Sequence, residues 1–126
     1  MPTTIVVGGQ YGSEGKGKLA AYLAHPNRVD LAIRCGGPNA GHRVSFNGRF
    51  EIVRQVPAAV INPRTRLLVA AWALVDPSIL FQEIRWFGLG KRRLGVDGFA
   101  AAVKRQARYA ALTAASLREF SNYEGI

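Results

Sequence analysis

Residues 4–18 read Thr4-Ile5-Val6-Val7-Gly8-Gly9-Gln10-Tyr11-Gly12-Ser13-Glu14-Gly15-Lys16-Gly17-Lys18, an apolar β-branched stretch that runs into a loop of five glycines and two lysines. The β-branched residues predict a short buried strand over Thr4 to Val7. Glycine lets the backbone approach a phosphate closely, and free N–H groups at a helix start attract anions. Leu19-Ala20-Ala21-Tyr22-Leu23-Ala24 predicts that helix, with Leu19 and Leu23 on one face and a stop at Pro26 and Asn27. The strict P-loop pattern is not met, because Gln10 stands where it needs glycine and Gly17 where it needs Ser or Thr. Gly15-Lys16-Gly17 with Ala20 matches a looser dinucleotide form, and a plain glycine-rich turn with exposed lysines fits the same spacing.

The pattern then repeats. Leu31 to Cys35 predicts a second strand, followed by the loop Gly36-Gly37-Pro38-Asn39-Ala40-Gly41 and then His42-Arg43. His42 has the chemistry of a general acid or base near neutral pH, and flanking glycines keep the loop accessible. His25 sits instead at a helix end, where a cation is favourable. Val44-Ser45-Phe46 and Arg49 to Val53 flank Asn47-Gly48, a hairpin signal. Leu67 to Trp72 predicts a third buried strand. Asp76-Pro77 then starts a helix to about Phe87, burying Ile79, Leu80, Ile84 and Phe87. Alanine-rich residues 99–119 predict a longer helix, with Lys104, Arg105 and Arg108 on a solvated face. Strand, glycine loop, helix, strand, glycine loop is the start of an α/β fold, here an incomplete, mostly parallel sheet. Ligands of such sheets bind at the carboxyl ends of the strands, where both glycine loops emerge.

The 126 residues suit one domain, and 48% apolar content excludes wholesale disorder. The longest apolar run, Leu67 to Val75, is nine residues, too short to span a bilayer. No basic segment precedes the apolar start, so the expected location is the cytoplasm, a host's cytoplasm for a viral protein. Cys35 is the single cysteine, which excludes an intrachain disulfide and a cysteine-based zinc site. The net charge of +9 is spread along the chain and suits nucleotides or nucleic acid. No zinc-finger spacing or basic heptad favours nucleic acid specifically.

These two loops resemble the adenylosuccinate synthetase family, whose signature is G-x-Q-W-G-D-E-G-K-G-K followed by G-N-N-A-G-H-T. The hairpin, Val56-Pro57, Ile61-Asn62-Pro63, Val75-Asp76-Pro77 and Glu83-Ile84 follow in the family's order. The resemblance covers residues 4 to 97 and implies a nucleotide-binding N-terminal portion over 1–97, with 98–126 an unassigned helical tail. The family is a purine-biosynthetic C–N ligase. It couples hydrolysis of a nucleoside triphosphate to joining L-aspartate to carbon 6 of a purine monophosphate, through a 6-phosphoryl intermediate.

By that resemblance Gly12, Ser13, Glu14, Gly15, Lys16, Gly17 and Lys18, with Gly41, His42 and Arg43, hold triphosphate and magnesium. Ser13 and Gly41 stand at the metal positions. Asn39, Ala40, Gly41 and His42 contact the purine nucleotide. His42 is the general acid toward the 6-oxygen, and Lys16 neutralises charge on the transferring phosphoryl group. The resemblance also implies a homodimer for the full-length family and no membrane partner.

Three departures qualify the match. Ser13 replaces the family's catalytic aspartate, as in the viral and archaeal branch that makes 2-aminoadenylosuccinate from dGMP; Gly36-Gly37-Pro38-Asn39 also resembles that branch. A shorter neutral side chain leaves room for the purine 2-amino group beside N1. Arg43 stands for threonine, and Ala71-Trp72 replace a glycine-containing segment. The family's aspartate loop and triphosphate-base motif have no counterpart before Ile126, so the chain alone is expected to be inactive. The leading expectation is part of a ligase for dGMP, ATP and aspartate. The alternatives are an adenylosuccinate synthetase using IMP and GTP, and a non-catalytic module binding nucleotide or nucleic acid.

Overall fold

The computed structural model describes residues 2–10, 14–25 and 29–102. Helix α1 (Lys16–Ala24) precedes strand β1 (Leu31–Arg34), the hairpin β2 (His42–Phe46) and β3 (Arg49–Val53), and a 3-10 turn at Ala58–Ile61. Strands β4 (Arg66–Val69) and β5 (Leu74–Val75), helix α2 (Pro77–Trp86), and strands β6 (Leu94–Val96) and β7 (Ala101–Ala102) follow. The main sheet has the order β1-β4-β6, and both of its pairs are parallel. Strand β4 is central, and Leu67 and Val69 on it are each 2% exposed. The α/β expectation holds, with the parallel sheet of the predicted class.

Local chemistry explains the elements that matched expectation. Asn47 (φ 50°) and Gly48 (φ 74°) both adopt the left-handed backbone that a tight hairpin turn requires. Asp76 caps α2, its carboxylate accepting from the N–H groups of Ser78 (2.9 Å) and Ile79 (3.4 Å). Leu80 and Phe87 are buried, while Ile79 and Ile84 are only half-buried. Phe87 meets Phe46 edge to face, with centroids 5.0 Å apart.

Four expectations change. Thr4 to Val7 form no strand and pair with none of the described residues; Ile5 and Val7 are 79% and 77% exposed. A strand is stable only when a neighbour takes its N–H and C=O groups, and none of the described strands does so for Thr4 to Val7. In α1 the buried stripe is Gly17, Ala21 and Ala24, with Leu19 exposed. Small residues win there because α1 lies close against the 3-10 turn and β2. The third strand ends at Val69, since Trp72 takes a left-handed φ of 64° that no strand contains. The helix expected from residue 99 does not start there: Ala101 and Ala102 pair with Leu74 and Val75. Residues 103–119 of that expectation, including Lys104, Arg105 and Arg108, lie outside the described residues.

Cross-links fix the loops between elements. Asn62 Nδ2 donates to Ala24 O at 2.7 Å, which closes the carboxyl end of α1. Arg93 donates to the carbonyls of Val60, Asn62 (2.9 Å) and Thr65 (3.4 Å). The Glu83 carboxylate, 2% exposed, accepts from the backbone N–H groups of Arg54 (2.6 Å), Gln55 (3.0 Å) and Val56 (2.8 Å). This anchors the chain where it leaves the hairpin.

Candidate nucleotide site

Gly15 (φ 79°) turns the first loop into α1, and among the described residues no side chain caps that helix start. The N–H groups of a first helical turn have no partner within the helix and attract anions. Lys16 forms an ion pair with Glu14, and Glu14 also accepts from the Gln10 N–H at 2.7 Å. The hydrogen bond from Lys16, then the Gln10 N–H, hold the Glu14 carboxyl below its usual range. A Cβ at Gly8 would stand 2.5 Å from a Glu14 carboxylate oxygen and 2.6 Å from the Lys16 ammonium, so the ends of this ion pair lie against the Gly8 backbone.

The second loop meets the first through His42. A side chain at Gly17 would overlap the imidazole of His42, so α1 begins directly against that ring. His42 is half-buried at the start of β2. Burial lowers its pKa below the usual histidine value, and the nearby positive charges of Arg34 and Lys16 lower it further. Arg34, at the end of β1, folds the loop around itself by donating to Gly37 O (3.3 Å) and Ala40 O (3.0 Å). Gly41 lies against Ile52 of β3, where a Cβ would come within 2.9 Å.

Glu14, Lys16, Gly17, His42 and Arg34 thus come together where both glycine loops meet the start of α1. Lys18 is exposed one residue further along α1, and Asn39 and Ala40 are exposed in the second loop. Arg43 alternates to the opposite face of β2 from His42, with its guanidinium carbon 5.9 Å from the Phe50 ring centroid. Gly12 and Ser13 lie outside the described residues. His25 is exposed at the carboxyl end of α1. A groove of about 550 Å³ lined by Phe46, Asn47, Arg49, Glu51, Trp86 and Phe87 sits at the turn end of the hairpin, away from His42. Sequence reasoning did not identify Arg34 as the residue that closes the second loop.

Among the described residues no group of three or more His, Cys, Asp or Glu side chains could hold a metal. The nearest carboxylate, Glu14, is already held by Lys16 and Gln10. The donors at the expected metal positions, a Ser13 hydroxyl and the Gly41 carbonyl, are neutral oxygens. They fit magnesium as an ion carried in on a triphosphate, which supplies the anionic ligands itself. No helix among the described residues is long and apolar enough to cross a membrane.

The family model for adenylosuccinate synthetase matches residues 5–103. This chain belongs to the adenylosuccinate synthetase family, a family of C–N ligases. It is 45% identical over 108 residues to the adenylosuccinate synthetase of Thermococcus onnurineus, which covers 82% of this chain and 32% of that one. It is 42% identical over 110 residues to the Pyrococcus horikoshii synthetase, covering 84% and 32%. Two solved structures superpose with a TM-score of 0.66: the cyanophage S-2L succinoaminodeoxyadenylate synthetase bound to dGMP and dATP, and the fully ligated Plasmodium falciparum adenylosuccinate synthetase. The phage enzyme is 28% identical and matched over 82% of this chain and 30% of its own; the parasite enzyme is 29% identical, over 75% and 22%. The chain therefore spans about a third of the length of the curated relatives it matches.

Proposed function

We propose that this chain is the phosphate- and purine-binding portion of a ligase that joins L-aspartate to C6 of dGMP, with hydrolysis of ATP. The observation that carries the choice of dGMP is Ser13, a short neutral side chain where the family resemblance expects aspartate. The phage relative, whose structure holds dGMP, supports it. The second reading, IMP with GTP, is favoured by the archaeal relatives, which are named adenylosuccinate synthetases and share 42–45% of residues.

The site residues fit a division of labour. The N–H groups at the start of α1 bind phosphate oxygens, and Lys16 exchanges its Glu14 partner for a phosphoryl oxygen as charge develops there. The lowered pKa leaves His42 neutral at pH 7, able to donate an N–H to the purine 6-oxygen. Phosphates bound beside it raise its proton affinity, which brings it toward the general-acid role. The Ser13 hydroxyl accepts from the 2-amino group. Magnesium, held by Ser13, Gly41 and the triphosphate, neutralises phosphate charge when bound.

The test of the phosphate site is Lys16→Ala. It is expected to weaken ATP binding by calorimetry at least about tenfold, the loss typical of a charged hydrogen bond. Unchanged affinity would move the site elsewhere.

A further inference from the structure

We propose that Arg34 is a positioning residue for the purine nucleotide, holding the second glycine loop in the shape that presents Asn39. The proposal rests on the reading above, in which that loop contacts the purine nucleotide. Arg34 is the last residue of β1, at the carboxyl edge of the parallel sheet. Its backbone is fixed there, because its carbonyl accepts from the Ala70 N–H at 3.0 Å. Its guanidinium reaches over the loop, where one nitrogen, Nη2, donates to Gly37 O at 3.3 Å and to Ala40 O at 3.0 Å. Between those two carbonyls the chain turns at Pro38 and Asn39, with proline buried and asparagine exposed. Arg34 thus ties together the two ends of the turn whose tip carries Asn39.

The loop needs such a tie. Gly36, Gly37 and Gly41 give residues 36–41 a freedom that other residues lack, and Gly36 uses it at a φ of 118°. Ordering a mobile loop on binding costs affinity, and ordering it beforehand removes that cost. The two ends of the loop are held by other elements. Gly36 O accepts from the Leu74 N–H at 3.1 Å, and His42 pairs with Val53 and lies against Gly17. The two bonds from Arg34 fall between these anchors. A guanidinium suits the task, since it is planar, permanently charged and a stronger donor than a neutral group. The charge of Arg34 is also felt at His42, so the head group lies near the ring that follows the loop. Direct attraction of phosphate by that charge is the competing role, and it is one outcome of the test.

Calorimetry with dGMP and with inorganic tripolyphosphate separates the two roles. Arg34→Met keeps an unbranched stem and removes both donors. It is expected to weaken dGMP about tenfold, the loss typical of a charged hydrogen bond. Tripolyphosphate affinity is expected to fall less than about threefold, because the start of α1 and Lys16 are untouched and salt screens the missing charge. Arg34→Lys, whose ammonium can still donate to a carbonyl, is expected to recover part of the dGMP loss. It carries the test through the same comparison of ligands should Arg34→Met not fold. Unchanged dGMP affinity in Arg34→Met, or in Arg34→Lys where that variant alone folds, overturns the proposal. An equal loss of dGMP and tripolyphosphate also overturns it, and makes Arg34 a general phosphate attractor. No recovery in Arg34→Lys overturns the grip on the loop carbonyls. Tripolyphosphate binding without dGMP binding in the unaltered chain overturns the reading beneath, and the role of Arg34 with it.

Discussion

Gly17 of α1 abuts the imidazole of His42, and the space between them leaves no room for even a methyl group. This contact holds the two glycine loops in register, because it joins the first turn of the helix after one to the first residue of the strand after the other. The ring atoms it would displace lie close to the His42 backbone, so a side-chain rotation cannot relieve the overlap cheaply.

Gly17→Ala is therefore expected to lower stability despite alanine's better helix propensity. The propensity gain is at most about 1 kcal/mol, and overpacking costs about 1–3 kcal/mol. A urea melt is expected to show a lower midpoint with an unchanged slope. A raised midpoint would show that α1 does not sit against His42.

His42 gives a pH dependence with a defined sign. Its folded pKa lies below the usual histidine value, mainly through burial, so the unfolded chain binds more protons near pH 6. Stability is then expected to rise with pH through that region and to level off above the unfolded value of about 6.5. An NMR titration of the His42 ring is expected to give a midpoint below that value, moving upward when tripolyphosphate is added. A midpoint above it in the free chain, or no movement with the anion, would separate His42 from the phosphate site.

Glu83 serves the site from a distance. Its buried carboxylate takes three backbone N–H groups at 54–56, just past the hairpin strand that pairs with His42. Glu83→Ala strands those donors in the interior, and an unsatisfied buried donor costs about 1–3 kcal/mol. The expected loss is at least about 3 kcal/mol by urea denaturation. A loss under about 1 kcal/mol would mean that solvent replaces the carboxylate there.

Features written in adjacent residues were legible from the sequence. Asn47-Gly48 marks the hairpin and Asp76-Pro77 the start of α2, because turn and cap chemistry are local. The two glycine loops were legible as a pair for the same reason. Features that depend on distant partners were not. Thr4 to Val7 have strand composition but find no partner strand among the described residues, and composition says nothing of partners. The buried stripe of α1 is Gly17-Ala21-Ala24, whose smallness matters only because another element lies close. Glu83 is legible only as part of the family-order match, and its burial under three backbone N–H donors depends on the distant hairpin exit.

Which purine nucleotide the two loops prefer is read most directly by a calorimetric titration of the chain with dGMP and with IMP, each with magnesium present. On the proposed reading, a serine at position 13 would leave space and a hydrogen-bond acceptor for the 2-amino group that dGMP carries and IMP lacks. A buried polar mismatch is typically worth about 1–3 kcal/mol, so dGMP is expected to bind about tenfold more tightly or better. Ser13→Asp is expected to erode that preference by crowding the 2-amino group. Equal affinity for the two nucleotides, before and after the substitution, would contradict the assignment of Ser13 and with it the choice of dGMP.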